Sequence, residues 1–288
     1  MLRLADRLGR GHGRLRPFEQ VRPPAPPQLK PDLTRWADHR LAATWIGHAS
    51  VLLRIGGMTV LTDPVLSNRV GIGLGIATGG PKRRVAPALS IDELPPIDLI
   101  LLSHAHFDHL DRPTLVRLPK RTPVITADQT QDLIRDLGFR RVKELRWGES
   151  ARLGSLDVQA VPVAHWGART LYDSHRGYNA YALRADDGTR VLFGGDTAYH
   201  TGFRDVGKVD LAILGIGGYQ PYIHSHANPE EAWTMADHVR ADVLLPMHHS
   251  TFRLSYEPVD EPIERLLTAA SSGADRVVIR EVGGSWAA

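Results

Sequence analysis

Residues 103–111 read Ser-His-Ala-His-Phe-Asp-His-Leu-Asp, which puts His104, His106, Asp108 and His109 in one short stretch. Imidazoles with carboxylates make a ligand set that suits zinc first, and manganese or iron next. One short loop cannot wrap all of them around a single ion. It can divide them, His104 and His106 to one divalent cation and Asp108 and His109 to a neighbour. Each ion then lacks ligands, so more His and Asp are expected downstream. They occur as His165 in Pro-Val-Ala-His-Trp-Gly, Asp196 in Gly-Gly-Asp-Thr and His248 in Pro-Met-His-His. With Asp196 shared, the first ion takes His104, His106 and His165, and the second takes Asp108, His109 and His248. Such a pair, roughly 3.5–4 Å apart, lowers the pKa of a water between the ions and yields hydroxide near neutral pH. Asp108 or Asp196 can orient its proton.

Each downstream candidate follows a strand-like run: Leu156–Val161, Arg190–Phe193 and Asp242–Leu245, just as Ile97–Leu102 precedes the cluster. Strand C-terminal ends are where sites collect in layered folds. Leu41–Ile46, Val51–Ile55 and Met58–Leu61 add strands, with Gly56-Gly57 as a hairpin turn. Asp63–Ser90 is a long connection of the kind that forms binding loops. Ser90–Glu93 fits a capping box. Asp128 is expected to cap a helix to Leu137, stopped by Gly138. Asn228-Pro229-Glu230-Glu231 opens a helix to about Val239. Another is expected from about Asp260 to Ser272, and Arg276–Ile279 reads as a last strand. The pattern implies an α+β fold, two packed sheets with helices outside.

The chain has 288 residues, 42% of them apolar and 23% charged, and no cysteine. Disulfides, thiolate metal sites and cysteine nucleophiles are thereby excluded. Residues 1–30 carry Arg3, Arg7, Arg10, Arg14, Arg16, Arg22 and Lys30 against Asp6 and Glu19, whereas the whole chain nets only +3. The basic excess belongs to an arm, which argues against a nucleic-acid-binding face on the main domain. We divide the chain into a basic, Pro-rich arm (1–35) and one catalytic domain (36–288), with Pro23–Pro27 as a stiff spacer. Leu2, Leu4, Leu8 and Leu15 could touch anionic membrane, although Gly9, Gly11 and Gly13 interrupt a helix. No apolar run approaches the roughly 20 residues of a membrane span, and no secretory signal is evident. A cytoplasmic location is expected, peripheral to the membrane if the arm binds it.

The motif and its later partners resemble the metallo-β-lactamase superfamily. Several segments are similar to one branch, the N-acylphosphatidylethanolamine-hydrolysing phospholipase D family and its bacterial relatives. They are Trp45–Ser50, Leu61–Pro64, Glu93–Asp98, His165-Trp166, Gly194–Thr197, Ile216–Pro221, His226–Ala232 and His248–Phe252. The resemblance implies a four-layer αββα sandwich with a two-metal site at one edge, and the ligand set above. It implies a phosphodiesterase of phospholipase D type. It also places Asp63 beside the metals as a carboxylate that orients imidazoles, with His48 and Thr197 in comparable positions. His226 falls in the pocket segment and is expected to hold or protonate a phosphate oxygen, with His249 as the alternative proton donor. Tyr219 is a further pocket candidate, and Lys82, with Arg83 and Arg84, could meet an anionic head group. The short arginine-rich arm and the Gly71–Gly80 loop depart from the family's pattern. Alternative activities are a lactonase of the ascorbate-6-phosphate type and a nucleotide or RNA phosphodiesterase, and a non-catalytic metal-binding protein is the remaining class. The expected partner is a small molecule or phospholipid, with no nucleic acid, and self-association is left open.

Overall fold

The computed structural model describes residues 23–34, 36–73 and 78–288. The amphipathic reading of residues 1–22 and the tip of the Gly71–Gly80 loop lie outside the described residues. The strands are β1 (Leu41–Gly47), β2 (Ser50–Ile55), β3 (Met58–Thr62), β4 (Ile72–Gly73), β5 (Thr78–Gly79), β6 (Leu99–Leu102), β7 (Val124–Ala127) and β8 (Val142–Leu145). They continue with β9 (Ser150–Leu153), β10 (Leu156–Val161), β11 (Ala180–Ala185), β12 (Arg190–Phe193), β13 (Val209–Gly215), β14 (Ala241–Met247) and β15 (Ser285–Ala287). The α-helices are α1 (Arg112–Arg117), α2 (Asp132–Arg135), α3 (Pro229–His238) and α4 (Glu261–Ala270). No helix among the described residues is long and apolar enough to cross a membrane.

One sheet runs β15-β1-β2-β3-β6-β7-β8 and the other β14-β13-β12-β11-β10-β9. In each, an antiparallel meander gives way to parallel strands, β3 to β6 in the first and β12 to β13 in the second. Parallel neighbours need crossovers, and α1, α2 and α3 lie in those crossovers. Between the sheets, Leu41, Trp45, Leu53 and Leu101 meet Val158, Tyr181, Phe193 and Ile213. Fully burying a side chain such as Phe193 contributes about 1.5–3 kcal/mol. Outside the second sheet, Leu214 and Leu244 lie under Met235 and Ala236 of α3 and Leu266 of α4. Outside the first, Leu61 and Ile100 lie under Leu115 of α1 and Ile134 of α2. The result is the four-layer αββα sandwich.

Helix α3 starts as its sequence predicts. Asn228 accepts from the Glu231 amide at 2.9 Å, the Glu231 carboxylate accepts from the Asn228 amide at 3.0 Å, and Pro229 fills the first turn. Helix α2 does not. Glu144 of β8 accepts from the Thr130 and Gln131 amides at 2.7 and 2.8 Å, so the helix begins later, and Asp128 instead pairs with Arg146 at 3.1 Å. The expected strand at Arg276–Ile279 is also corrected. A 3₁₀ turn runs through Ser271–Arg276, Val277 makes only an isolated bridge to Leu244, and the last strand is β15.

The long connection after β3 is not slack. Arg83, 4% exposed, donates to the carbonyls of Val65, Ser67 (2.9 Å) and Val85, and its guanidinium lies 4.7 Å from the centre of the Phe252 ring. It is a clamp and cannot meet a head group. The Pro-rich segment is docked as well: Ala25 pairs with the Arg84 carbonyl and the Ala86 amide, both at 2.7 Å. The boundary drawn at residue 35 therefore falls inside a stretch already joined to the domain.

Candidate metal centre

Strand ends deliver the chemistry to one edge of the sandwich. His104 to His109 follow β6, His165 follows β10, Asp196 follows β12 and His248 follows β14; His48 sits in the β1–β2 turn, and Asp63 directly follows β3. His48, Asp63 and His248 have φ of 56°, 29° and 61°, a left-handed conformation unfavourable for residues with a Cβ. Surrounding bonds hold it. The His48 amide donates to Thr251 Oγ1 at 2.8 Å, and the His48 carbonyl accepts from the His248 amide at 3.1 Å and from Trp45 Nε1 at 2.7 Å. Gly195, at φ +56°, lets the β12 end approach β6, because a Cβ there would lie 2.9 Å from that of Ser103.

The side chains converge in two groups of four that could each hold a cation, His104, His106, His165 and Asp196, and His48, Asp108, His109 and His248, and a third group of three, Asp196, His226 and His248, overlaps them. In the first, His106 Nδ1 lies 2.8 Å from His104 Nε2 and 3.3 Å from His165 Nε2. In the second, Asp108 Oδ2 lies 3.0 Å from His48 Nε2, 3.4 Å from His248 Nε2 and 3.7 Å from His109 Nε2. Asp196 stands between the groups. Its Oδ2 is 4.0 and 3.9 Å from His104 and His165, and 3.1 and 3.2 Å from His109 and His248. His226 approaches the same oxygen at 3.7 Å, and its side chain, 17% exposed, is about as open as that of Asp108 and unlike the buried His104, His165 and His248.

These residues fit divalent cations. Buried His109 Nε2, His248 Nε2 and Asp196 Oδ1 have no hydrogen-bond partner, an arrangement costly to leave unfilled. Burial opposes charge on His109 and His248, yet Asp196 and Asp108 outweigh it, holding His109 well above its usual pKa and His248 at about 9. Burial would likewise raise both carboxyls, but the neighbouring histidines win and hold them well below their usual range. Burial pushes His165 down to about 3 and His104 well down. The pocket thus keeps anionic oxygens among neutral or proton-competing imidazoles, which is the chemistry a metal displaces protons to occupy.

The outer candidates divide. Asp63, fully buried, accepts from His109 Nδ1 at 2.7 Å. Thr197 Oγ1 accepts from the Ala164 amide (3.0 Å) and its carbonyl accepts from the Ala227 amide (2.7 Å), so it ties the His165, Asp196 and His226 loops together. Tyr219 does not face a pocket with a free hydroxyl: it donates to Glu261 at 2.7 Å and fastens its loop to α4. His249 joins neither group, and its ring is buried 4.6 Å from that of Trp45. Lys82 is half-buried on the hairpin side, in an isolated bridge with Arg69.

Sequence reasoning missed two residues. Ser103 donates to Asp63 from its amide (2.7 Å) and hydroxyl (2.6 Å), and its Oγ lies 2.8 Å from His104 Nδ1. Glu257, buried, accepts from the Gly218 and Gln220 amides at 2.6 and 3.1 Å. Position beside the motif was the one available signal for Ser103, and Glu257 had none.

Residues 58–249 match the β-lactamase superfamily domain. An uncharacterised Mycobacterium tuberculosis protein is 37% identical over 262 residues, covering 86% of this chain and 69% of that protein. The Caenorhabditis elegans N-acyl-phosphatidylethanolamine-hydrolyzing phospholipase D 1 is 31% identical over 276 residues, covering 86% and 76%. Among solved structures, a metallo hydrolase from the archaeon Ignicoccus hospitalis superposes with a TM-score of 0.64 at 21% identity, covering 85% of this chain and 97% of that one.

Proposed function

The chain belongs to the metallo-β-lactamase superfamily and is a metal-dependent hydrolase, and on that premise we propose that it hydrolyses phosphodiesters in the manner of a phospholipase D, with N-acylphosphatidylethanolamine-like lipids as its substrate class. The observation that carries this is Asp196 Oδ2, ringed by nitrogens of both ligand groups and by His226 from the open side. Sequence similarity to the nematode phospholipase D supports the substrate class. A cavity of about 450 Å³ backs onto the motif loop and is lined by Phe107, Pro113, Val116 and Leu137 together with the charged Arg69, Asp111, Arg112 and Arg169. Its apolar wall would seat part of an acyl chain beside those charges.

His104, His106, His165 and Asp196 would hold one zinc-like cation, and Asp108, His109 and His248, with Asp196 shared, would hold the second. When bound, such cations supply Lewis acidity towards a phosphoryl oxygen and a lowered pKa for a nearby water. Asp196 Oδ1 is buried without a partner and would accept a proton of the attacking water. Asp108 Oδ2 already accepts from His48, which fixes the direction of its remaining lone pairs. Burial lowers His226 to about 4, so near pH 7 it is a neutral imidazole offering one N–H. That N–H can hold a non-bridging oxygen, or pass its proton to the departing alkoxide while the ring recovers one from the water. No serine or cysteine nucleophile is needed.

Purified protein loaded with zinc or manganese should release phosphatidic acid from N-acylphosphatidylethanolamine and should cleave bis(p-nitrophenyl) phosphate, and a chelator should stop both. Chelator-sensitive opening of a lactone with neither phosphodiester touched would replace this reading with a lactonase.

A further inference from the structure

We infer that Asp63 and Ser103 form one buried switchboard that fixes the proton positions of a ligand in each metal group, so that Ser103 is a positioning residue for His104. The inference rests on the two-cation reading above. Ser103 Oγ has a single proton, and it goes to Asp63 Oδ2 at 2.6 Å. The same oxygen, 2.8 Å from His104 Nδ1, can then only accept. His104 Nδ1 must carry the proton, which leaves a lone pair on Nε2, the atom beside His106 Nδ1 and Asp196. On the other side, His109 Nδ1 donates to Asp63 Oδ2 at 2.7 Å, which turns Nε2 towards Asp196 at 3.1 Å as the ring atom left to face a cation.

Asp63, Ser103 and His109 are wholly buried and His104 is 1% exposed, so bulk water cannot replace a lost partner. The two arms of this network are unequal. His109 reaches the carboxylate directly, while His104 reaches it only through Ser103, whose Oγ is 3.5 Å from His109 Nδ1. Removing the hydroxyl should therefore damage one group, and altering the carboxylate should damage both. Losing a partner that orients a ligand imidazole typically costs about 10–100-fold in metal affinity.

The test has two readouts besides turnover. In metal-free protein, long-range ¹H–¹⁵N spectra of the imidazoles should show His104 and His109 protonated at Nδ1. In Ser103→Ala, His104 should become a tautomer mixture with His109 unchanged. Zinc titration against a chromophoric chelator should show one binding step weakened by about 10–100-fold in Ser103→Ala, wild-type behaviour restored in Ser103→Thr, and both steps weakened in Asp63→Asn. Near-UV circular dichroism matching the wild type certifies that each variant is folded. A folded Ser103→Ala that keeps both affinities and the His104 tautomer overturns the proposal, as does Asp63→Asn weakening only one step. Wild-type protein that takes up no zinc defeats the metal-centre reading instead, and the tautomer spectra still decide the network.

Discussion

At the scale of single residues, Asp196 and His226 separate holding from turnover. Asp196 lies between both groups, so Asp196→Asn should bind fewer than two ions by elemental analysis and lose activity. Full activity with both ions would remove it from the centre. His226 stands on the open side, so His226→Ala should keep its metal content and lose roughly 10²–10⁴-fold in turnover, the usual reach of a proton-transfer group. Metal loss in that variant would make it a ligand. The converging ligands were legible because the four-residue cluster demanded partners and each partner follows a strand. Tyr219 and His249 were chosen because they neighbour site residues in sequence; in the structure Tyr219 bonds Glu261 and His249 turns under Trp45, contacts that sequence nearness does not encode. Ser103 was missed because a lone hydroxyl has no spacing signature.

At the scale of elements, the α3 cap and the loop before it carry distinct expectations. Asn228→Ala removes the bond to Glu231 and should cost about 1 kcal/mol in urea unfolding, as caps generally do. Gly218 has φ +87°, and a Cβ there would sit 3.2 Å from His226 Nδ1. Gly218→Ala should therefore displace His226 and lower turnover with both ions retained, whereas unchanged kinetics would show that the loop yields. Strands were readable from apolar runs. Helix α2 was not, because the amides that Asp128 was expected to cap are satisfied by Glu144, a partner from another strand. The Arg276–Ile279 stretch has strand-like composition, but its Arg276 is fastened to Asp237 and the Ala241 carbonyl, tertiary contacts that no local pattern encodes.

For the whole molecule, the buried histidines set an acid limit. His48, His165 and His249 are lowered by burial from 6.5 to about 3. Between those values the unfolded chain binds protons that the folded chain refuses, so stability falls as pH drops through that window. His248, raised to about 9 by Asp196 and Asp108 against burial, has the opposite sign. Its contribution is complete below 6.5 and fades as pH climbs through 9. Metal-free protein should thus be most resistant to urea near neutral pH, with lower midpoints at about pH 5 and about pH 9; a midpoint still rising at about pH 5 would contradict the burial argument. Metal should add to this, by about 2.7 kcal/mol at a hundredfold excess over its dissociation constant.

The chain first passes from one sheet to the other at the turn between Leu145 and Ser150, before β15 returns to pair with β1. His48, His104, His106, Asp108 and His109 precede it, and His165, Asp196 and His248 come after, so both four-residue ligand groups draw on both sides. Cut at that turn, the polypeptide would give two fragments, neither of which owns either four-residue group. Reassembly of those fragments on a sizing column should then be driven by zinc, the ion serving as a rivet through the sandwich.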